Sequence, residues 1–165
     1  MKRISYLTHW YLGLCLGMVP VATGVAIGNV SIPAITVGFA LMLWTAGFDI
    51  LYALQDLKID CTQNLHSLPA KVGPMKSIFI SKICFCSMLV FLIATGRYGN
   101  LGVIYYIGLV FIACLLAYEH RLVNEAIEDG KSYKINIAFF TVNSWIGVVF
   151  LAFVALDMFV KFPTK

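Results

Sequence analysis

Charge is scarce in this sequence. Asp, Glu, Lys and Arg make up 12% of its 165 residues, where soluble domains carry roughly 25%. Hydrophobic residues make up 61%, and the mean hydropathy is +0.88. A chain this apolar reads as an integral membrane protein. The net charge is only +4, and no basic cluster is interleaved with aromatics, which argues against a nucleic-acid partner. Internal repeats and low-complexity segments are also missing, so residues 1–165 are expected to form one helical domain. The five cysteines, Cys15, Cys61, Cys84, Cys86 and Cys114, include no C-x-x-C pair. Cys84 and Cys86 would point about 200° apart on a helix and cannot share a metal. All five are expected to be buried small hydrophobes, ahead of an exposed, reactive Cys61.

What the chain does have is long apolar runs. Five spans are expected: Trp10 to Gly28, Ile32 to Asp60, Ser77 to Thr95, Leu101 to Tyr118 and Ile137 to Val160. Each is long enough to cross a hydrocarbon layer of about 30 Å. The class is therefore all-α, an integral membrane helical bundle. Met1-Lys2-Arg3 before an apolar run mimics a signal peptide, but the length of the run, Pro20 within it and the spans that follow favour a retained helix. Gly13 and Gly17 have the spacing of a close helix contact, without naming the partner. Pro33 suits a helix start and Asn64 a left-handed C-cap. Tyr105 and Tyr106 suit an interfacial belt. Five spans put the N-terminus and the loops after the second and fourth spans on one side. That side carries Lys2, Arg3, Lys58, Lys71, Lys76, Lys82, Arg121, Lys131 and Lys134, against Arg97, Lys161 and Lys165 on the other. The bias places the first side in the cytoplasm.

The stretch Gly47 to Gly73 concentrates the chemistry. Asp49, Asp56 and Asp60 are spaced by seven and four. On one continuous helix they would lie within about 20° of a common direction. Asp49 falls about two turns inside the apolar run, where a charge costs about 2.5–3.5 kcal/mol on insertion scales. An isolated acid pair at a helix end is usually just solvated, but three carboxylates on one face, one of them inside the membrane, call for a cation. A hard one such as Mg²⁺, shared with substrate phosphates, fits best.

The same stretch carries a longer pattern. Gly47-Phe48-Asp49, Tyr52-Ala53, Gln55-Asp56, Asp60, Leu65-His66-Ser67, Pro69-Ala70 and Gly73 closely resemble the second aspartate-rich motif of UbiA-type membrane aromatic prenyltransferases. Tyr118-Glu119-His120-Arg121 and Asn136 to Asn143 resemble later segments of the polyprenyl branch. The resemblance covers nearly the whole chain and corresponds to the last five helices of a nine-helix fold. It implies transfer of a polyprenyl group from a polyprenyl diphosphate to an aromatic acid in quinone biosynthesis, within a lipid membrane, by resemblance the bacterial inner membrane. The acceptor is 4-hydroxybenzoate on a ubiquinone route or a naphthoate-type acid on a menaquinone route. Mg²⁺ would be the cofactor, with Asp56 and Asp60 as its ligands. Asp49 would bind it through water or orient the acceptor. Tyr52, about 60° off the aspartate direction, either faces the allylic cation or simply packs. Lys71 and His66 either contact phosphate or are solvated loop residues, and Lys82 either snorkels or meets the diphosphate. Asn136 and Asn143, seven apart on one face, line the cleft or bond between helices, the second reading being preferred. His120 reads as interfacial rather than as a ligand.

The resemblance also has gaps. The family's first aspartate motif has no counterpart before Asp49, so a separate N-terminal half is the expected partner, and the chain alone is expected to be inactive. A second copy of the chain supplying that motif ranks lower. Thr62 stands where a basic residue is common, and Asn64 where glycine is usual. Two readings outside enzymology remain, an ion-coupled carrier and a non-catalytic remnant. The carrier is disfavoured because the aspartates lie toward one surface rather than at the midplane.

Overall fold

The computed structural model describes residues 2–128 and 137–161, and those residues form helices and no strands. The elements are α1 (Thr8–Ala26), α2 (Ile32–Tyr52), α3 (Leu57–Thr62), α4 (Leu68–Val72), α5 (Pro74–Tyr98), α6 (Val103–Glu128), a π-helical turn (Ile137–Val142) and α7 (Asn143–Lys161). Five helical stretches are long and apolar enough to cross a membrane: Thr8–Ala26, Ile32–Tyr52, Pro74–Tyr98, Val103–Glu128 and Phe140–Lys161. The expected all-α bundle is what forms.

Central α2 packs on α1 and α5, and α6 packs on α7 and α5. Side chains from α2, α5, α6 and α7, among them Leu51, Phe85, Met88, Ile112 and Ile146, make one core. The α1–α2 seam is built on glycine. A Cβ on Gly17 would lie 2.6 Å from Gly38 O, and one on Gly38 would lie 2.5 Å from Gly17 O. Gly13 is held as tightly against the Met42 carbonyl. The Gly13–Gly17 pair thus has α2 as its partner, and removing side chains there lets two backbones touch.

Local signals set the ends of the elements. Ser31 caps α2 by accepting from Ala34 N–H at 3.4 Å, and Pro33 sits in the first turn. Asn64 is left-handed, with φ 51°. The Leu65 N–H donates to Asp60 O at 2.8 Å and the Asn64 N–H to Cys61 O at 3.4 Å, which satisfies the last carbonyls of α3.

Several expectations are corrected. The second span does not run on to Asp60. It ends at Tyr52, and three successive i→i−3 bonds through Leu54, Gln55 and Asp56 make a tighter turn before α3 begins. That turn changes the rotation per residue, so Asp49 no longer shares a helix with Asp56 and Asp60. The fourth span extends to Glu128 because Leu116, Glu119, His120, Val123 and Ala126 continue one buried face. Tyr105 belongs to the core rather than to an interfacial belt. It is 1% exposed, its hydroxyl donates to Leu92 O at 2.8 Å, and its ring blocks the space beside Gly96. Of the cysteines only Cys84 is buried, whereas Cys15, Cys61, Cys86 and Cys114 are exposed. Small side chains are easily left on the outer surface of a span, where lipid is as apolar as the core.

Candidate functional site

The start of α1, the end of α2, the α3–α4 loop, the start of α5, the end of α6 and the start of α7 meet at one end of the bundle. Each aspartate of the Gly47–Gly73 stretch finds a basic partner there. Asp49 Oδ2 lies 2.6 Å from Nδ1 of His9, a fully buried ring. Lys2 Nζ sits between the other two, 3.3 Å from Asp56 Oδ2 and 3.2 Å from Asp60 Oδ2. Asp60 is 2% exposed, while the Asp56 side chain is 46% exposed. Burial by itself would lower the Lys2 pKa. The hydrogen bond and charge of Asp60, followed by those of Asp56, outweigh it and hold the ammonium above its ordinary value.

The loop that follows wraps the N-terminal segment. The His66 N–H donates to Lys2 O, and the His66 ring meets the Tyr6 ring edge-on at 4.7 Å. Lys71 Nζ stands 4.6 Å from the Tyr6 ring centroid, a cation–π contact. Ser67 caps α4 by accepting from Ala70 N–H at 3.4 Å. The sequence-derived pair His66 and Lys71 is therefore gathered around Tyr6, beside the Lys2–Asp60 contact. Tyr52, at the last turn of α2, meets Phe140 edge-on at 6.5 Å.

Asn143 bonds between helices. Its Oδ1 accepts from Trp44 Nε1 at 3.1 Å, and its Nδ2 donates to Glu119 Oε1 at 3.2 Å. The amide joins α2, α6 and α7, which agrees with the preferred interhelical reading of this residue. Asn136 lies outside the described residues. His120 is buried rather than interfacial. It is 7% exposed, with Nδ1 3.1 Å from Leu116 O and its ring edge-on to Phe85 at 5.3 Å. Lys82 is exposed beside a cleft that also reaches His120 and Arg121.

Sequence reasoning missed two partners of the aspartates. Lys2 entered there only through the leader-like start and the charge bias, and His9 was given no role. Both act across more than 39 residues of chain, and no local spacing signals that. Buried Glu119 was noticed only as part of a resembling segment.

The donor chemistry suits a hard divalent cation. Asp56 and Asp60 already converge on one positive group, the Lys2 ammonium. Two carboxylates with substrate phosphates are a usual Mg²⁺ environment. Among the described residues no group of three or more His, Cys, Asp or Glu converges, so phosphate oxygens or groups from elsewhere would complete such a shell. An apolar cavity of about 240 Å³ opens between α2, α5, α6 and α7, lined by Leu41, Trp44, Met88, Leu92, Ile112 and Phe150 among others.

The comparisons with known proteins agree with this architecture. The model of the UbiA prenyltransferase family matches residues 1–143. The 4-hydroxybenzoate octaprenyltransferase of Nitrosospira multiformis is 29% identical over 97% of this chain and 53% of its own length. The enzyme of the same name from Xanthomonas euvesicatoria is 28% identical over 94% of this chain and 50% of its own. The chain therefore spans about half the length of the curated relatives it matches. The apo structure of a UbiA homolog from Aeropyrum pernix K1 superposes with a TM-score of 0.75 over 95% of this chain and 57% of that one, at 24% identity. That likeness speaks for the fold.

Proposed function

We propose that this chain, which belongs to the UbiA prenyltransferase family, supplies the second-aspartate half of a Mg²⁺-dependent aromatic polyprenyltransferase acting in quinone biosynthesis. Its substrates on this reading are a polyprenyl diphosphate and an aromatic acid, with 4-hydroxybenzoate the first candidate because the matched relatives carry that acceptor in their names. The observation that supports it most is the convergence of the Asp56 and Asp60 carboxylates on one positive group, the Lys2 ammonium.

In the reaction the allylic C–O bond of the donor breaks, diphosphate leaves, and a ring carbon of the acceptor forms the new C–C bond and loses its proton. Bound Mg²⁺, held by Asp56 and Asp60, would neutralise the leaving diphosphate. The residues of the chain then have distinct tasks. Lys2, His66 and Lys71 gather positive charge and N–H donors where the diphosphate would lie. The ring of Tyr52 offers a π face to allylic positive charge. Asp49 orients the acceptor or its proton, one helix turn deeper. The apolar cavity beside Trp44 has the chemistry to take part of a prenyl tail. Asn143, bonded on both sides, holds the helices that frame this space. A separate N-terminal half would contribute the facing carboxylates.

The test is prenyl transfer in membranes with radiolabelled prenyl diphosphate, Mg²⁺ and either 4-hydroxybenzoate or a hydroxynaphthoate. The 165-residue chain is assayed alone and with any reading frame encoded just upstream. Product only in the combined membranes, lost in Asp56→Asn, is the expected result. No product with either acceptor in either preparation would overturn the reading in favour of a non-catalytic remnant.

A further inference from the structure

His9 is a buried titratable group with a full set of partners, and none of them is a substrate. It lies in the first turn of α1 and is 0% exposed. Its Nε2 is 3.4 Å from the main-chain nitrogen of Leu68. A peptide N–H can only donate, so Nε2 carries the lone pair and the ring proton sits on Nδ1. Nδ1 in turn is 2.6 Å from Asp49 Oδ2, so the N–H is donated to that carboxylate. The main chain of the loop thus sets the tautomer, and the tautomer sets the hydrogen bond to Asp49.

We propose that His9 is the positioning residue for Asp49: it holds one carboxylate oxygen, leaves the other toward the site, and couples the aspartate to the loop that carries His66 and Lys71. The inference rests on the reading of Asp49 as part of a prenyl-transfer site. Three observations carry it. Asp49 Oδ1 has no hydrogen-bond partner among the described residues, and the side chain keeps 23% of its surface exposed. The reach of His9 is built into the helix seam, since Gly13, one turn further along α1, is pressed against the Met42 carbonyl two turns before Asp49. And Leu68 opens α4, so the loop between Asp60 and Gly73 is tied to the same ring. A carboxylate one turn inside an apolar span rotates freely unless something fixes it. A buried imidazole donor fixes it without adding a second mobile charge. Because both nitrogens are engaged and the ring is closed off, His9 does not itself take the substrate proton.

The direct test is ¹⁵N NMR of the full chain in lipid bilayers with ¹⁵N-labelled histidine, the His9 signals being identified by their loss in His9→Asn. The expected result is a protonated Nδ1 and a lone-pair Nε2, both shifted in Asp49→Asn. A protonated Nε2, or no response to Asp49→Asn, would overturn the proposal. The second test is prenyl transfer in the combined membranes described above. His9→Ala should lower kcat about 100-fold with the KM for prenyl diphosphate within about threefold. His9→Asn, whose amide N–H replaces Nδ1–H, should recover at least tenfold of that loss. His9→Gln, whose amide reaches the Nε2 position, should not. Equal loss in all three variants would make His9 a packing residue and defeat the proposal. If the wild type transfers nothing while the NMR result holds, the functional reading of the chain fails and the His9–Asp49 coupling stands.

Discussion

Lys2 and Asp60 are 58 positions apart in sequence, and the ammonium of the first lies 3.2 Å from the carboxylate of the second. The contact brings the N-terminal segment down onto the aspartate stretch. Asp60 is nearly closed to water, so its charge needs that partner. Lys2→Met should destabilise the chain by about 1–3 kcal/mol, the usual cost of leaving a buried group unpaired. The sign of the pH dependence follows from the raised Lys2 pKa. Its contribution is complete below the unfolded value of 10.5 and is lost as pH rises through the higher folded value. Heat unfolding in detergent between pH 7 and pH 12 should show this alkaline limb in the wild type and lose it in Lys2→Met.

If Asp56 and Asp60 hold Mg²⁺ as proposed, the Lys2 ammonium between them stands where the ion would bind. On the metal reading, Mg²⁺ should raise the melting temperature of Lys2→Met more than that of the wild type, because no tethered charge competes. A ligand at 100 times its Kd stabilises by about 2.7 kcal/mol. Asp56→Asn should abolish the response. An equal Mg²⁺ response in all three proteins would count against Asp56 and Asp60 as ligands.

The Trp44–Asn143–Glu119 chain predicts an effect on stability rather than on affinity. Asn143→Leu leaves the Trp44 N–H and the Glu119 carboxyl without their shared partner. A loss of about 1–3 kcal/mol for each group is expected. Adding Glu119→Gln should recover part of it, measured as the melting temperature of the double variant. If Asn143→Leu instead melts like the wild type and weakens only prenyl diphosphate binding, the cleft-lining reading is the better one.

Gly17 and Gly38 are each other's closest obstacle across the α1–α2 seam. Gly38→Val puts a branched side chain where backbone oxygen already stands. It should cost at least about 2 kcal/mol and should also disturb the ¹⁵N signals of His9, two turns and more away along the seam. Gly147→Ala is the control. A Cβ there meets nothing within 4 Å, so its melting temperature should stay close to that of the wild type.

Cys61 sits in α3, outside the spans, while Cys15, Cys86 and Cys114 are exposed along them. A water-soluble maleimide should label Cys61 in preference to the three exposed along the spans. Labelling in inside-out vesicles but not in intact cells would place the aspartate end in the cytoplasm, as the distribution of basic residues predicts. The opposite pattern would reverse that orientation.

How much of this could be read from the sequence depends on the range of each interaction. The five spans were legible because hydrocarbon burial depends on a run of about twenty neighbours. Asn64 was legible as a cap because the left-handed turn is a property of one residue and its near neighbours. The break after Tyr52 was not, since the stretch from Ala53 to Asp56 has no proline or glycine to announce a tighter turn. The extension of α6 to Glu128 was hidden because the charges of Arg121, Glu125 and Glu128 mask a buried face that keeps helical period.

The sequence by itself determined that the chain is a membrane bundle and that Asp49, Asp56 and Asp60 fall in one short stretch where its second span gives way to a polar loop. Both follow from composition and spacing along a single segment. Only the tertiary structure decided what each aspartate faces. His9 reaches Asp49 across 40 positions, Lys2 reaches Asp56 across 54, and Trp44 reaches Asn143 across 99. Such pairings depend on which helices pack together and in what register, and between α1 and α2, where His9 meets Asp49, that seam is built on glycines that let the two backbones touch.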